Sequence, residues 1–487
     1  MQINSQLPGA RSLGERLWVV SKLAIPAAAT MMSYSMVGMV DTLMVGHLGP
    51  AALAAVGLSN TLLYALSALI NGLVSAATPL AAQHVGAGQP REAGRYLHQA
   101  TWVALAGGLV VGAILYFGGH AILTVLKTGD EIAAVGGRYL QIRALGLPFF
   151  YLLVARDHFL EGTGDTRTPM KVSLLVNIVN AVLNYLLIFA PFGLPSLGTD
   201  GSAWATVLAH TLSAVVYSFA LHRRHEAHPE LEIRPMQRPE WTSLRELVRV
   251  GWPMSVQFSL DIGAWLVMTI FMAWMSTNAQ AANQVTLRIL SVTFMTVHGV
   301  SVAGTTLVGQ HLGAGDMKEA RRYAWAAMIV GLGLTFLNGA VYLAWPELLV
   351  RAFTDDPVVT ALACQLLAIG ALMQVVETVS IVTYGALKGA GDTRYPMLVS
   401  IGTAWGVGIP ASWLLAHPLG FGPEGVYLGL CVQLLVCAAL ELRRLLGDRW
   451  HLSALVKPLI EGLQPEQEGS SGLRRDALSL EASPKGA

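Results

Sequence analysis

Three acidic residues lie within long apolar segments of this 487-residue chain. Asp41 lies in SMVGMVDTLMVGHLG, Asp261 in PMSVQFSLDIGAWLV and Glu377 in ALMQVVETVSIV. A carboxylate among apolar residues is costly, so such a residue usually faces a cavity or a partner and binds a proton or a cation. We predict that these acids bind a coupling ion or a cationic substrate, with Asp261 and Glu377 forming an Na⁺ site. The alternative is that hydroxyl or backbone groups satisfy each acid for packing alone.

Amides are spaced along one helix face in the segment VNIVNAVLNYLL. Asn180 and Asn184 are four residues apart, so they share a face and could flank a cation or a carboxylate. Asn177 lies one turn earlier and is a candidate for the lining of a cavity. Hydrogen bonding between helices is the alternative interpretation of all three amides.

Three further residues are candidates for the lining of the same cavity. Tyr34 could line the route of an apolar cation, although ordinary core or lipid contact is the alternative. Gln284 and Arg288 lie at the start of an apolar segment. Arg288 is expected either to pair with Asp261 or Glu377, or to extend its charged end to the membrane surface.

Composition predicts a helical membrane protein with several spans. Apolar residues make up 54% of the chain and charged residues 13%, which is about half the usual share. Long runs, such as 100–126, are almost free of charge, and a span needs about 20 apolar residues. The net charge of +1 does not suggest nucleic-acid binding. The spacing of the three cysteines suggests neither a disulfide framework nor a metal site, and we find no pattern typical of an enzyme.

The chain contains two copies of one unit. GTGDTRTPMKVS begins at Gly162 and GAGDTRYPMLVS begins 227 residues later at Gly389. The same offset relates QHVGAGQPREAGRY at Gln83 to QHLGAGDMKEARRY at Gln310. Such repeats predict a pseudo-symmetric pair of helical lobes with a binding site near their junction. We expect each GxGDTR motif to end a helix and to pair its Asp with its Arg.

The acids do not follow the repeat. At the offset of 227, Met268 is equivalent to Asp41, Tyr34 to Asp261 and Phe150 to Glu377. We infer that chemistry was added to a duplicated scaffold. The sequence HRRHEAH, which carries His222, His225 and His228, is interpreted as a solvated connector, with a metal site as the alternative.

The predicted organisation is all-α, with twelve spans in two six-helix lobes. We expect an N-terminal segment at 1–16, an N-lobe at 17–222, a linker at 223–245, a C-lobe at 246–446 and a mobile tail at 447–487. The spans are expected at about 17–46, 51–77, 93–118, 131–160, 168–190, 199–222, 246–275, 279–305, 320–345, 357–387, 394–416 and 423–446. Lys and Arg concentrate in alternate connections, so both termini are predicted to face the cytoplasm.

These motifs resemble those of the multidrug and toxic compound extrusion (MATE) family, in its NorM-like branch. The resemblance covers about residues 15–446 and lies in DTLMVGHLG, in both QxxGAG motifs and in both GxGDTRxPM motifs. It implies two six-helix lobes around a cavity that opens alternately to each side. It also implies that organic, mainly cationic compounds leave in exchange for Na⁺ or H⁺.

The resemblance also assigns residues. Asp41 matches the acid of the family's first span, while Asn180 and Asn184 match positions around it. Asp261 stands where the NorM-like branch carries Glu, and Glu377 where it carries Asp. Both positions thus keep a carboxylate, but the shorter and the longer acidic side chain have exchanged places.

We therefore expect a multi-pass antiporter of the plasma (inner) membrane that is monomeric, contacts lipid and needs no cofactor besides its coupling ion. A flippase for lipid-linked saccharides is the first alternative. It would need a cavity rich in Arg and Lys, whereas Arg288, Arg143 and Arg156 are the main candidates. The second alternative is a membrane receptor that binds a ligand without moving it.

Overall fold

The computed structural model describes residues 12–190, 196–447 and 449–456. Twelve long helices make up most of these residues, and no strand occurs among them. Their bounds are α1 Leu13–Gly46, α2 Pro50–Gly86, α3 Pro90–Val125, α4 Asp130–Gly162, α5 Arg167–Phe189, α6 Gly198–Ala227, α7 Trp241–Met275, α8 Thr277–Gly313, α9 Met317–Ala344, α10 Pro357–Gly389, α11 Arg394–Ala416 and α12 Gly422–Leu446. Helix α2 is interrupted at Ala76, and α11 contains the π-helical turn Ala404–Gly408.

Eleven of the described helices are long and apolar enough to cross a membrane. Helix α4 is the exception, because charged residues such as Arg143, Arg156 and Asp157 recur along it. It nevertheless packs closely within its lobe. A Cβ atom on Gly108 of α3 would come within 2.5 Å of the Pro148 backbone of α4. The expected all-α architecture of twelve helices in two lobes is confirmed.

The lobes are joined by two equivalent helix crossings. A Cβ on Gly72 of α2 would lie 2.3 Å from the Ser255 Cα of α7. A Cβ on Gly299 of α8 would lie 2.4 Å from the Ala28 nitrogen of α1. The two crossings are related by the offset of 227, since Gly299 is equivalent to Gly72 and Ser255 to Ala28. Glycine is needed at both because two backbones meet there.

Both pairs of repeated motifs lie at one end of the molecule, which we call the basal face. There Gln83 Nε2 donates to the Gly389 carbonyl at 2.8 Å, and Gln310 Nε2 donates to the Gly162 carbonyl at 3.1 Å. Each glutamine therefore binds the end of the GxGDTR helix in the opposite lobe. These reciprocal bonds hold the lobes together at the basal face.

The acidic residue of each GxGDTR motif pairs outside the motif, so the expected pairing with the motif's own Arg is wrong. Asp165 binds Arg224 at 2.9 Å, and Asp392 binds Arg444 at 2.8 Å. The Asp165 side chain also accepts from the Thr168 backbone at the start of α5. These acids attach the basal ends of α6 and α12 to the motif loops.

The segment after α12 is partly packed, contrary to the expected mobile tail. Trp450 is fully buried against the C-lobe, and the backbone nitrogens of Leu455 and Val456 donate to Gln83 Oε1 at 2.7 and 3.2 Å. Residues 449–456 thus run from the C-lobe to the N-lobe across the basal face. The rest of the predicted tail, 457–487, lies outside the described residues, as does most of the predicted segment 1–16.

Candidate ion and substrate sites

The Asp41 carboxylate lies in the N-lobe, where α1, α5 and α6 meet. Asn184 Nδ2 donates to Asp41 Oδ1 at 2.7 Å, and Thr206 Oγ1 lies 3.1 Å from Asp41 Oδ2. Only 1% of Asp41 is exposed. The predicted association of Asp41 with Asn184 is therefore present in the structure, while Thr206 is a partner that the sequence did not indicate.

A basic residue completes this N-lobe site. Arg143 of α4 places a guanidinium nitrogen 3.7 Å from Asp41 Oδ2 and donates to the Tyr139 hydroxyl at 3.3 Å. In the sequence Arg143 stood out only as a basic candidate for the flippase alternative. An arginine at this distance compensates the charge of Asp41 and favours its ionised form.

The amides of α5 divide between two sites. Asn180 Nδ2 donates to Thr206 at 3.1 Å, and its side-chain oxygen accepts from Asn184 at 3.0 Å, so Asn180 belongs to the Asp41 site. Asn177 instead donates to the Ser33 hydroxyl and, at 2.9 Å, to the Ser33 carbonyl. It fastens α5 to α1, as in the helix-bonding alternative.

A second buried acid of the N-lobe, Asp157, was not singled out from the sequence. It is 3% exposed, and the Tyr34 and Tyr217 hydroxyls donate to its two oxygens. Tyr34, predicted to line a cavity, thus contributes a phenol to a carboxylate as well as an aromatic surface. The sequence could have indicated this acid, because the segment LLVARDHFLEG places Asp157 late in an apolar span.

The buried or half-buried acids of the C-lobe include Asp261, Glu377 and Glu441. Ser400 of α11 donates to Asp261 Oδ1 at 2.7 Å, and Ser380 of α10 donates to Glu441 Oε2 at 2.7 Å. Glu441 is 1% exposed and lies near enough to Asp261 to interact electrostatically. Glu441 was missed because it precedes Arg443 and Arg444 and therefore appeared to belong to the polar end of α12.

Glu377 lies one turn before Ser380 on α10 and is 9% exposed. Across residues 12–190, 196–447 and 449–456 it makes no hydrogen bond or ion pair, and none of these residues gives Asp261 an ionic partner either. The same residues contain no group of three or more His, Cys, Asp and Glu side chains suited to a metal. The Na⁺ site at Asp261 and Glu377 therefore remains a prediction.

A phenol and an acid occupy exchanged positions in the two lobes. Tyr34 of α1 binds Asp157 of α4, and at the offset of 227 these positions carry Asp261 of α7 and Tyr384 of α10. Tyr384 lies near enough to Asp261 and Glu441 to interact electrostatically. The acid that seemed unmatched in the sequence thus has a counterpart one helix away.

The two predicted lining residues of α8 are exposed. Gln284 and Arg288 both lie on the surface of this helix. The Arg288 side chain forms no ion pair with any described residue, so the expected pairing with Asp261 or Glu377 does not occur. The alternative, that Arg288 extends its charged end to the membrane surface, remains a prediction.

Fold and sites together define a multi-pass helical membrane protein with two pseudo-symmetric lobes, each containing buried carboxyl groups. The family model MatE matches residues 26–186 and again residues 253–414. The chain therefore belongs to the MatE family, with one copy of the family unit in each lobe.

Similar proteins span nearly the whole chain. The multidrug resistance protein PmpM of Pseudomonas aeruginosa is 30% identical, covering 88% of this chain and 91% of its own. A probable multidrug resistance protein NorM of Rhizobium meliloti is 31% identical, covering 86% and 90%.

Solved structures share the fold. An outward-facing multidrug resistance MATE transporter matches with a TM-score of 0.81 at 19% identity, covering 88% of this chain and 96% of its own. The eukaryotic MATE transporter AtDTX14 matches with a TM-score of 0.79 at 20% identity, covering 91% and 98%.

Proposed function

We propose that this protein is a secondary active antiporter that expels organic, mainly cationic compounds in exchange for Na⁺ or H⁺. Membership of the MatE family and the names of PmpM and NorM as multidrug resistance proteins support this proposal. In the proposed orientation the basal face is cytoplasmic, because it carries most of the Lys and Arg of the connecting loops. The contacts at that face would then hold the two lobes together on the cytoplasmic side.

The lack of a basic partner for the C-lobe acids carries the ion-coupling proposal. Asp41 has Arg143 beside it, whereas no described residue forms an ion pair with Asp261, Glu377 or Glu441. A carboxylate in this setting gains most from binding a proton or a metal cation. We therefore place the coupling ion at Asp261, with Glu441 as the neighbouring acid and Glu377 as a further acid of the same lobe.

Competition between the ion and the drug would then drive export. An unoccupied C-lobe site keeps its negative charge and favours an organic cation in the cavity between the lobes. Binding of Na⁺ or H⁺ removes this charge and favours release to the outside. Coupling requires that the ion and the drug prefer different states, since a ligand shifts an equilibrium only through differential affinity.

The direct test is ethidium transport in proteoliposomes under separately imposed Na⁺ and proton gradients. We expect one gradient to drive transport by the wild type and Asp261→Asn to abolish that driven component. Glu347→Gln is the matched control, because Glu347 is an exposed acid of the same lobe that pairs with Arg351 across its helix turn. Gradient-driven transport that persists in Asp261→Asn would reject the coupling site. Absence of transport under either gradient, with ethidium still bound, would favour the receptor alternative.

The flippase alternative lacks its structural requirement. Its three basic candidates are dispersed, because Arg143 contacts Asp41, Arg156 binds the Ala214 carbonyl and Arg288 lies on the surface of α8. They do not converge on one pyrophosphate site.

We also propose that the protein resides in the inner membrane and acts as a monomer. Crosslinking in native membranes tests whether it is monomeric.

A further inference from the structure

A cavity of about 680 Å³ lies on the basal side of the N-lobe, away from the junction of the two lobes. It is formed by the basal ends of α3, α4 and α6 together with the linker between α6 and α7. No residue of the C-lobe helices lines it. Its lining residues are Leu97, His98, Thr101, Arg156, Ser218, Leu221, His222, His225, Ile233, Arg234, Pro235 and Met236.

The linker that forms the outer wall is fixed against α3. His98 Nε2 lies 3.0 Å from the Glu232 carbonyl, and Trp102 Nε1 donates to the Gln237 carbonyl at 3.0 Å. Leu231 is fully buried in the N-lobe core. The predicted linker 223–245 is shorter in the structure, since α6 continues to Ala227 and α7 begins at Trp241. The linker therefore forms a fixed outer wall of the cavity.

Two arginines in the cavity lack an acidic partner among the described residues. Arg156 donates to the Ala214 carbonyl at 2.8 Å and Arg234 to the Ser218 carbonyl at 3.0 Å, which leaves further N–H groups free on each guanidinium. Their positive charges lie close enough to repel each other. Two neighbouring cations at the end of a helical bundle are unfavourable without an anion.

The nearby acids are already engaged. Asp157, next to Arg156 in the chain, accepts from two tyrosines, and Glu232 binds Arg91 at 3.0 Å. The acid at the rim is Glu226, which lies 3.5 Å from His222 and has a side chain that is 65% exposed. His225 Nδ1 is buried without a hydrogen bond. The cavity thus offers cationic and donor groups to a ligand that is not part of the chain.

The surroundings indicate that this ligand has an apolar part. Leu97, Leu221 and Met236 line the cavity beside the arginines. Trp241, at the start of α7, is 77% exposed, and Arg223 stacks on the exposed ring of Phe219. Exposed aromatic and basic residues at helix ends are typical of the level of lipid headgroups.

The two lobes share a scaffold, but the equivalent position in the C-lobe does not carry the positive charge of Arg156. At the offset of 227 the position of Arg156 carries Thr383, which is fully buried in the C-lobe. Arg156 is therefore a feature of the N-lobe alone, as expected for a residue that serves a ligand.

We propose that this cavity binds the phosphate headgroup of an anionic phospholipid, with Arg156 and Arg234 on the phosphate and the apolar wall against the start of an acyl chain. Basic cavities between membrane helices bind such headgroups. Arginine suits phosphate because its fork of N–H groups can make two hydrogen bonds to the oxygens. His222 and His225 of the HRRHEAH segment then belong to the wall of a lipid site.

The test uses the full-length protein, delipidated in detergent and titrated with dioleoylphosphatidylglycerol, dioleoylphosphatidylcholine or inorganic phosphate. Native mass spectrometry counts the bound lipid, and thermal unfolding reports its stabilisation. We expect saturable binding of phosphatidylglycerol with a rise in Tm, and much weaker effects of the other two ligands. Equal binding of phosphatidylcholine would overturn the proposal, and an equal effect of phosphate would show a site for free anions instead.

The double variant R156Q/R234Q is expected to bind phosphatidylglycerol at least about tenfold more weakly, since two charge-assisted hydrogen bonds are lost. Arg223→Gln is the matched control, because Arg223 lies on α6 beside the cavity without lining it. If the double variant does not fold, Arg234→Gln alone, in the linker, replaces it with a smaller loss expected. Wild-type affinity in either folded variant would refute the assignment.

Discussion

Asp41 and Arg143 form a charge pair that accounts for a buried acid in the N-lobe. Their closest atoms are 3.7 Å apart, with 1% of the Asp41 side chain and 15% of the Arg143 side chain exposed. Removing one member of a buried pair leaves the other charge without compensation. Loss of either member would therefore weaken the junction of α1 and α4, in addition to any effect on the binding of cations.

Asp41→Asn is expected to lower the free energy of unfolding by about 3 kcal/mol, because Arg143 stays charged without its partner. Arg143→Gln should have a similar effect for the same reason. The double variant should lose clearly less free energy of unfolding than the sum of the losses in the two single variants. Unfolding in mixed detergent micelles measures these losses. Additive losses would show that the two charges do not interact.

The exchange of Tyr and Asp between the lobes changes the interpretation of Asp261, which appeared in the sequence to have no equivalent acid in the N-lobe. Each lobe has a phenol and a carboxylate at the same two helix positions, but in opposite order. In the N-lobe the acid is on α4 and is bound by two phenols, whereas in the C-lobe it is on α7 and only half-buried. The N-lobe acid is therefore held within hydrogen bonds, and the C-lobe acid is more accessible to an ion.

At the scale of elements, the linker depends on one glycine of α3. A Cβ atom on Gly94 would come within 1.7 Å of the Leu231 carbonyl oxygen, so the linker backbone lies directly on this helix. No larger residue fits without moving the linker. Gly118, on the same helix, has no atom closer than Ile122 Cδ1 at 3.9 Å and is therefore a suitable comparison.

Gly94→Ala is expected to displace the linker, to uncover the buried Leu231 and Ile233, and to speed cleavage of the linker by proteinase K. Gly118→Ala should leave cleavage unchanged and stabilise α3 by about 0.5–1 kcal/mol, because alanine favours the helix. Limited proteolysis and thermal unfolding of both variants measure these effects. Equal cleavage of the two variants would contradict the close packing of the linker on α3.

At the scale of the whole molecule, Gln83 makes more basal contacts than its equivalent, Gln310. Both Gln83 and Gln310 bind the end of a helix in the opposite lobe. Gln83 also accepts from the backbone of Leu455 and Val456, so the segment after α12 strengthens one of the two contacts. Opening of the basal face must break all of these bonds.

Gln83→Leu is therefore expected to favour basal opening more than Gln310→Leu, by about 1–2 kcal/mol for the additional bonds lost. Spin labels at the exposed, equivalent positions of Arg91 and Lys318, with the native cysteines replaced, report the distance between the lobes. We expect a larger population of long distances in Gln83→Leu. Equal populations in the two variants would show that residues 449–456 do not brace the basal face.

Much of the architecture was predictable because it depends on local properties. Apolar runs long enough to span a membrane predicted the helices, and the repeat at an offset of 227 predicted the two lobes. The association of Asp41 with Asn180 and Asn184 was also predictable, since helical spacing and the resemblance to the MATE family pointed to the same face of α5. The span at about 131–160 was also expected, although helix α4 does not meet the hydropathy of the other eleven helices.

The partners of each polar residue were decided only by tertiary structure. Arg143, Thr206 and Glu441 lie on other helices than the acids they accompany, and no spacing along the chain relates them to those acids. Charged residues are rare in membrane spans because their burial there is costly, so the few that occur can be recognised from the sequence. Which charges compensate one another depends on the rotation and crossing of packed helices, and these are set by contacts between residues far apart in the chain.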